Sequence, residues 1–166
     1  MQTSDHDFVR RATLRVRGNM NEDFIPGRKF DHHWGRTITQ AENALFSALT
    51  LHYNPHYYNI EYARAHKHPD TPVNPMLVFN TVFGLSVEDL SEGGGPFLGI
   101  EALIFHSPVY PGDTLTARST VVERRESSKH TNMGIVTWHT EGFNRNAERV
   151  IDYRRSNLVR MREVKA

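Results

Sequence analysis

The feature that most constrains this chain is residues 74–87, Asn-Pro-Met-Leu-Val-Phe-Asn-Thr-Val-Phe-Gly-Leu-Ser-Val, which open like a helix and are apolar on nearly every side. Asparagine is a strong N-cap, and proline is favoured at the first helical position, where its missing N–H has no intrahelical partner to lose. A helix without a polar face has to be enclosed by other structure. In a single domain, a curved sheet wrapped around it does this. The Val, Phe and Thr content makes a strand the competing reading, but the length and the Asn-Pro opening favour helix.

The chain beyond this stretch supplies such a sheet. Phe97–Phe105 is apolar, and residues 114–124, 134–143 and 150–161 alternate, with turn signals at Pro111-Gly112-Asp113, residues 127–132 and Asn144-Arg145-Asn146. Long strands joined this way predict an antiparallel meander. Helices first and strands after, with one buried helix, predict an α+β domain in which a bent antiparallel sheet wraps that helix.

Upstream, Thr39-Gln40-Ala41-Glu42 is a capping box and starts a helix that runs to about Leu51. Ala41, Ala44, Leu45, Ala48 and Leu49 recur at three- and four-residue steps and paint one apolar face on it. A second short helix is expected over 59–65, capped by Asn59. Residues 1–36 read as an N-terminal arm on a domain of residues 37–166. The alternation Ala12-Thr13-Leu14-Arg15-Val16 predicts an edge strand there. Residues 27–35, with Phe30, His32, His33 and Trp34, are too aromatic for a solvated linker, so the arm is expected to lie against the domain with its histidines within reach of a site.

Between the helices lies His52-Tyr53-Asn54-Pro55-His56-Tyr57-Tyr58-Asn59, a density of titratable groups found nowhere else in the chain. Pro55 interrupts any helix arriving from the N-terminal side, so both histidines sit on irregular backbone, where binding and catalysis concentrate. The competing reading is a polar loop whose aromatic rings pack at a subunit contact.

Other functions are excluded or weakened. With 166 residues and no cysteine, the chain is one domain without disulfides, iron–sulfur clusters or thiol nucleophiles. Its 20 basic and 19 acidic residues, net charge +1, form no footprint for nucleic acid, which points to a small partner. No apolar run approaches a membrane span and the N-terminus has no secretory core, so a cytoplasmic protein is expected. Among the 10 histidines, His52 and His56 have the spacing of a helical zinc pair, but Pro55 lies between them and the glutamate of such a motif is absent. His66 and His68 flank Lys67 in a polar turn, and Gly93-Gly94-Gly95 precedes a strand rather than a phosphate-binding helix. Neither a metal nor a cofactor is expected.

Four stretches carry a family resemblance: Thr37-Ile38-Thr39-Gln40-Ala41-Glu42; Asn54-Pro55 with Glu61-Tyr62-Ala63; Val73-Asn74-Pro75-Met76; and Pro108-Val109-Tyr110-Pro111-Gly112-Asp113-Thr114-Leu115. In this order, over roughly residues 35–162, they resemble the MaoC-type hot-dog dehydratases. Phe83-Gly84-Leu85-Ser86-Val87-Glu88-Asp89-Leu90 and Gly134-Ile135-Val136-Thr137-Trp138 are most similar to mesaconyl-CoA hydratase and its relatives. The resemblance implies a single hot-dog fold, a homodimer or higher assembly, and a thioester substrate carried by coenzyme A or an acyl carrier protein. It also implies a lyase, a hydratase or dehydratase acting on the α,β double bond, with a branched or dicarboxylic acyl group among the candidates.

The family pattern is Asp-x-Asn-Pro-aliphatic-His, with the Asp and His as general base and acid. Here the Asp position is His52, the aliphatic position His56 and the His position Tyr57. One reading keeps the chemistry, with His52 as base, His56 or Tyr57 as acid and Asn54 as a positioning group. A slip of one residue would put His56 at the family's histidine, although the intact Glu61-Tyr62-Ala63 spacing argues against it. The remaining readings are a noncatalytic thioester- or carrier-binding domain, and a thioesterase. Substrate-binding roles fall to Asn54, to Asn74 at the cap of the apolar helix, and to the free amides from Met76 and Leu77 onward, which would hold the thioester oxygen. For the carrier's phosphates the candidates are Arg124, Arg125, Arg154, Arg155, Arg160 and Arg162, against the commoner reading of a solvated strand face.

Overall fold

The computed structural model describes residues 18–162, so the strand expected at Ala12 to Val16 lies outside the described residues. The elements, in chain order, are β1 (Lys29–Asp31), β2 (Arg36–Thr37), α1 (Gln40–Leu49), α2 (Ile60–Ala65), α3 (Pro75–Leu85), α4 (Val87–Leu90), β3 (Phe97–Phe105), β4 (Thr114–Glu126), β5 (Met133–Phe143) and β6 (Arg149–Arg160). The strands form one antiparallel sheet in the order β1-β4-β5-β6-β3, with β2 also paired to β4. The meander β4-β5-β6 is therefore closed on its far side by the strand that follows the helices. Register shifts between Phe97 and Gly99 and between Glu101 and Ile104 bend β3 along β6. They leave Ile104 opposite Asp152 and Phe105 opposite Ile151.

Helix α3 begins as its sequence dictates, with Asn74 as N-cap and Pro75 in the first turn. It stops at Leu85, short of Val87, because the Ser86 hydroxyl donates to the Phe83 carbonyl (2.7 Å) and the chain restarts as α4. Leu77, Val78, Thr81 and Val82 are buried against the sheet, whereas Met76, Asn80 and Gly84 are exposed. The enclosure expected on every side is therefore a cover on one side: the sheet wraps one face and leaves the other open. Contact is close enough to require glycine at Gly142, where a Cβ would meet Val82 Cγ2 at 2.7 Å and Ile151 Cγ2 at 2.6 Å.

The core has two parts. Around α3 lie Ile38, Val73, Val109, Leu115, Ile151 and Tyr153. A second cluster joins Phe24 and Phe30 to Leu90, Val121, Val136, Trp138 and Val159. Phe24 meets the Trp138 ring edge-on at 4.9 Å, and residues 18–36 contribute a strand and two core aromatics to the domain.

Helix α1 has its capping box, with Glu42 N–H donating to Thr39 Oγ1 (3.2 Å) and Thr39 N–H to Glu42 Oε2 (2.9 Å). It faces the opposite way from its apolar stripe. Leu45 and Leu49 are exposed, and the buried residues are Asn43 and Ser47. No helix among the described residues is long and apolar enough to cross a membrane.

Candidate active site

The inward polar face of α1 is a bracket for the Asn54-Pro55 segment. Asn43 Nδ2 donates to the Tyr57 carbonyl (2.9 Å) and the Pro72 carbonyl (3.0 Å), while its Oδ1 accepts from Asn74 N–H (2.8 Å). Ser47 accepts His52 N–H at its carbonyl (2.8 Å) and Asn74 Nδ2–H at its hydroxyl (3.1 Å). Two side chains thus tie the segment to the start of α3. Bonds of this kind in a water-free setting are costly to leave unmade, so the geometry is strongly specified. The signal for this in the sequence is the i, i+4 pair Asn43 and Ser47 opposite the leucines.

Asn54 caps the short 3-10 turn Pro55–Tyr57, and its Oδ1 accepts both from His56 N–H (3.1 Å) and from His56 Nδ1 (2.9 Å). An amide oxygen only accepts, so His56 carries its proton on Nδ1 and keeps a lone pair on Nε2. Its ring lies 4.8 Å from Tyr62, 5.0 Å from His66 and 5.5 Å from His68. Burial, helped by the charges of His66 and His68, pushes its pKa down and keeps it neutral. Tyr57 is buried to 9% exposure, and burial pushes its phenol up, so it remains a proton donor. Among the described residues its hydroxyl makes no hydrogen bond.

These groups share a cavity of about 350 Å³ whose lining includes Asn54, His56, Tyr57, His68, Pro75 and His106. His68 Nδ1 pairs with the Tyr110 hydroxyl (3.0 Å), whose pKa is raised by burial and by the charges of Asp113 and Asp70. His106 Nε2 bonds Asp152 Oδ1 (2.9 Å), and the other carboxylate oxygen takes His139 Nε2 (2.9 Å). Burial pushes the Asp152 carboxyl up, but the bonds from His139 and His106 and the charge of Arg149 outweigh it and hold the group below the usual carboxylate range. No sequence motif marks His106. Its carboxylate partner is set by the β3–β6 register, which no local signal encodes.

Three of the six expected site residues, His52, Asn74 and Met76, do not line the cavity. Asn74 is fully buried. Its Oδ1 accepts from Met76 N–H (3.0 Å), which turns its Nδ2 toward Ser47 and toward His52 Nδ1 (3.0 Å). His52 Nδ1 is therefore an acceptor. The Nδ1 lone pair of His52 is thus engaged by Asn74. The amides expected to be free are also spent: Met76 N–H on Asn74 Oδ1 (3.0 Å) and Leu77 N–H on the Asn74 carbonyl (2.9 Å).

Other candidates are also committed elsewhere. Arg155 is fully buried, donates to the Ser86 hydroxyl (3.1 Å) and the Ser91 hydroxyl (3.2 Å), and stacks over Phe83. Burial lowers its pKa to about 10, and it is closed to a phosphate. Arg162 pairs with Asp23 (2.7 Å), Arg125 with Glu123 (3.6 Å), and Arg124 donates to the Glu22 carbonyl (3.1 Å). Arg154 and Arg160 are exposed and make no ion pair among the described residues. In the arm, His32 has both ring nitrogens engaged, Nδ1 with Asp89 (2.6 Å) and Nε2 with Ser119 (2.8 Å). Among the described residues no group of three or more His, Asp or Glu side chains has the geometry of a metal site.

Comparison with known proteins agrees with this architecture. The family model described as mesaconyl-CoA hydratase matches residues 2–166. The chain is 39% identical, over 154 residues, to a mesaconyl-CoA hydratase of Haloarcula marismortui, covering 92% of this chain and 43% of that protein. Among solved structures, a MaoC domain protein dehydratase from Chloroflexus aurantiacus superposes with a TM-score of 0.85 at 32% identity, over 93% of this chain and 44% of that one. A Mycobacterium tuberculosis protein with a double hotdog fold superposes at 0.78 with 22% identity, over 92% of this chain and 47% of that one, which shows the fold alone. The chain spans less than half the length of these relatives. It folds as a hot-dog domain and belongs to the mesaconyl-CoA hydratase family.

Proposed function

We propose that this domain hydrates the α,β double bond of an enoyl thioester, or dehydrates the corresponding hydroxyacyl thioester, with coenzyme A or an acyl carrier protein as carrier. The observation that carries this reading is the cavity beside α3 that holds Asn54, His56 and Tyr57 together. The relatives' name, mesaconyl-CoA hydratase, supports a coenzyme A thioester with a branched, dicarboxylic acyl group.

The chemistry follows from the protonation states. His56, neutral and with its Nε2 lone pair unspent, takes a proton from water as the oxygen attacks the β-carbon. The π electrons move to the thioester oxygen, where the Tyr57 hydroxyl donates a hydrogen bond to the developing charge. Asn54 holds the His56 ring in the required tautomer. His52, tied to Asn74 and 5.2 Å from the Tyr57 ring, positions Tyr57.

We also infer that the domain works as a homodimer or a larger assembly. Strand β3 is a sheet edge, and Phe97, Leu98 and Ile104 on it are each about half exposed. An uncovered apolar edge is a template for pairing with another chain, and the relatives' length leaves room for a second such unit.

The test is incubation of the purified protein with mesaconyl- and crotonyl-coenzyme A, following loss of the conjugated double bond and the product mass. Gain of one water is expected. Release of free thiol instead would establish a thioesterase, and binding without turnover a recognition domain. Either result overturns the reading.

A further inference from the structure

The family's pattern places a carboxylate in the Asn-Pro segment, and this chain has none there. The cavity nevertheless has a carboxylate behind it. His106, immediately after β3, lines the cavity and holds Asp152 Oδ1 with Nε2 at 2.9 Å. A carboxylate only accepts, so the Nε2 proton is fixed and Nδ1 is the nitrogen left for substrate. Among the described residues, Nδ1 makes no hydrogen bond. The backbone is fixed as well, His106 N–H donating to the Val150 carbonyl at 2.9 Å. An imidazole anchored by a partly buried carboxylate at one nitrogen and unbonded at the other, in a residue that lines a cavity, is the arrangement of a proton-transfer residue.

Resting on the proposed hydratase reading, we propose that His106, anchored by Asp152, is a catalytic residue that exchanges the proton at the α-carbon of the thioester. Two of the three histidines that line the cavity, His56 and His106, divide the work. His56 faces two other histidine rings and no carboxylate, so it suits the neutral, proton-accepting role. His106 instead faces the carboxylate of Asp152, an acceptor that keeps the Nε2 proton in place. Pairs of titratable groups in opposed surroundings are how acid and base are told apart.

In hydration, which starts with His56 neutral and His106 as the imidazolium, an O–H bond of water breaks, its proton goes to His56 Nε2, and the C–O bond forms at the β-carbon. The electron pair displaced to the thioester oxygen returns to form the α-carbon–hydrogen bond with the Nδ1 proton of His106, whose N–H bond breaks. His56 ends protonated and His106 neutral, and exchange with solvent restores both. Dehydration runs the same steps backwards, with His106 removing the α-proton.

The charged groups around His106 are Asp152 and Arg149 on β6, with His139 on β5 sharing Asp152 and Glu141 on β5 holding Arg149 (3.2 Å). His56 and His68 face it across the cavity. Asp152 is a positioning residue here, since it acts through His106.

The experiment is steady-state hydration of mesaconyl-coenzyme A in deuterated and ordinary water by the wild type, H106Q and D152N, each checked for a wild-type melting curve. Glutamine keeps the volume and a donor for Asp152, so H106Q is expected to fold. It should lower kcat by about 100-fold or more with KM within about threefold, and α-deuterium incorporation should fall in parallel. D152N should lower kcat by about tenfold with KM within about threefold and a wild-type melting curve, a split that a merely structural loss would not produce. If H106Q keeps kcat within about threefold of an active wild type, the His106 role is overturned and the hydratase reading stands. If the wild type itself hydrates no thioester, both fall.

Discussion

Of the histidines held at Nδ1 by neighbouring oxygens, His32 and His56 differ most in what is left at Nε2. His32 gives Nδ1 to Asp89 and Nε2 to Ser119, whose hydroxyl continues to Thr140 at 2.8 Å. By connectivity this resembles the acid, histidine and serine of a nucleophile relay. Ser119 and Thr140 are fully buried, however, so the chain of bonds ends inside the protein. His56 gives Nδ1 to Asn54 and has Nε2 unspent beside a cavity. Catalytic capacity follows from a lone pair that the fold leaves unused next to space for a ligand, and not from the presence of an orienting partner.

The largest effect that tests this contrast is on rate. His56→Gln should lower kcat for mesaconyl-coenzyme A hydration by about 100- to 10,000-fold, the range ascribed to a positioned acid or base. His32→Gln should leave kcat within about threefold. Equal losses in the two variants would show that the unspent lone pair is not what separates them.

Asn43 comes next, because the segment carrying His56 is held by it. Asn43→Ala strands Asn74 N–H and the Pro72 carbonyl in a buried setting and leaves the Tyr57 carbonyl only the longer bond from Gln40 Nε2 (3.4 Å). The expected destabilisation is about 3 kcal/mol, from unsatisfied groups costing roughly 1–3 kcal/mol each without full additivity. Denaturant unfolding measures it. A loss below about 1 kcal/mol would mean that water replaces the bracket and that α1 does not set the site.

A smaller effect separates the histidines by pH. Burial lowers the His32 pKa against the opposing pull of Asp89, so the folded protein favours the neutral ring. The unfolded chain then binds more protons just below the ordinary histidine value of about 6.5. Its stability contribution is full above that pH and is lost as pH falls toward the depressed folded value. His56 is shifted the same way, so the difference between wild type and His32→Gln isolates the His32 share. Melting midpoints between about pH 5 and 7 should converge for the two proteins at the acid end. A constant gap across that range would show that His32 titrates alike in both states.

Much of this was legible where the determining forces are local. The capping box at Thr39, the Asn74-Pro75 helix start and the alternation of β4 and β5 each depend on residues within a turn or a strand. Asn54, His56 and Tyr57 were legible for the same reason, since Pro55 dictates their backbone. His106 with Asp152 was not, because two bulges in β3 decide which residue of β6 it meets. The state of His52 was not either: it depends on which way the Asn74 amide is turned by a backbone N–H two residues on. Helix α1 shows the limit of periodicity. Its leucines mark an apolar face, but hydrogen bonds to two separate segments, at Tyr57 and at 72–74, outweigh that stripe and turn Asn43 and Ser47 inward.

The outward face of α1 gives the smallest expected effect and extends the comparison to surfaces. Leu49 is 74% exposed and Leu45 60%, so in the isolated domain Leu49 buries little of its side chain. Leu49→Ser should then change stability by less than about 0.5 kcal/mol, the range of surface substitutions that touch no special feature. The same substitution in an assembly that covers this face would remove buried apolar area, each methylene group contributing about 0.8 kcal/mol. Unfolding at two protein concentrations, with mass measured by light scattering, separates the cases. A small, concentration-independent change leaves β3 as the edge that pairs with a second copy. A loss above about 1 kcal/mol accompanied by a fall in mass would place the contact on α1, beside the segment that carries His52 and Tyr53.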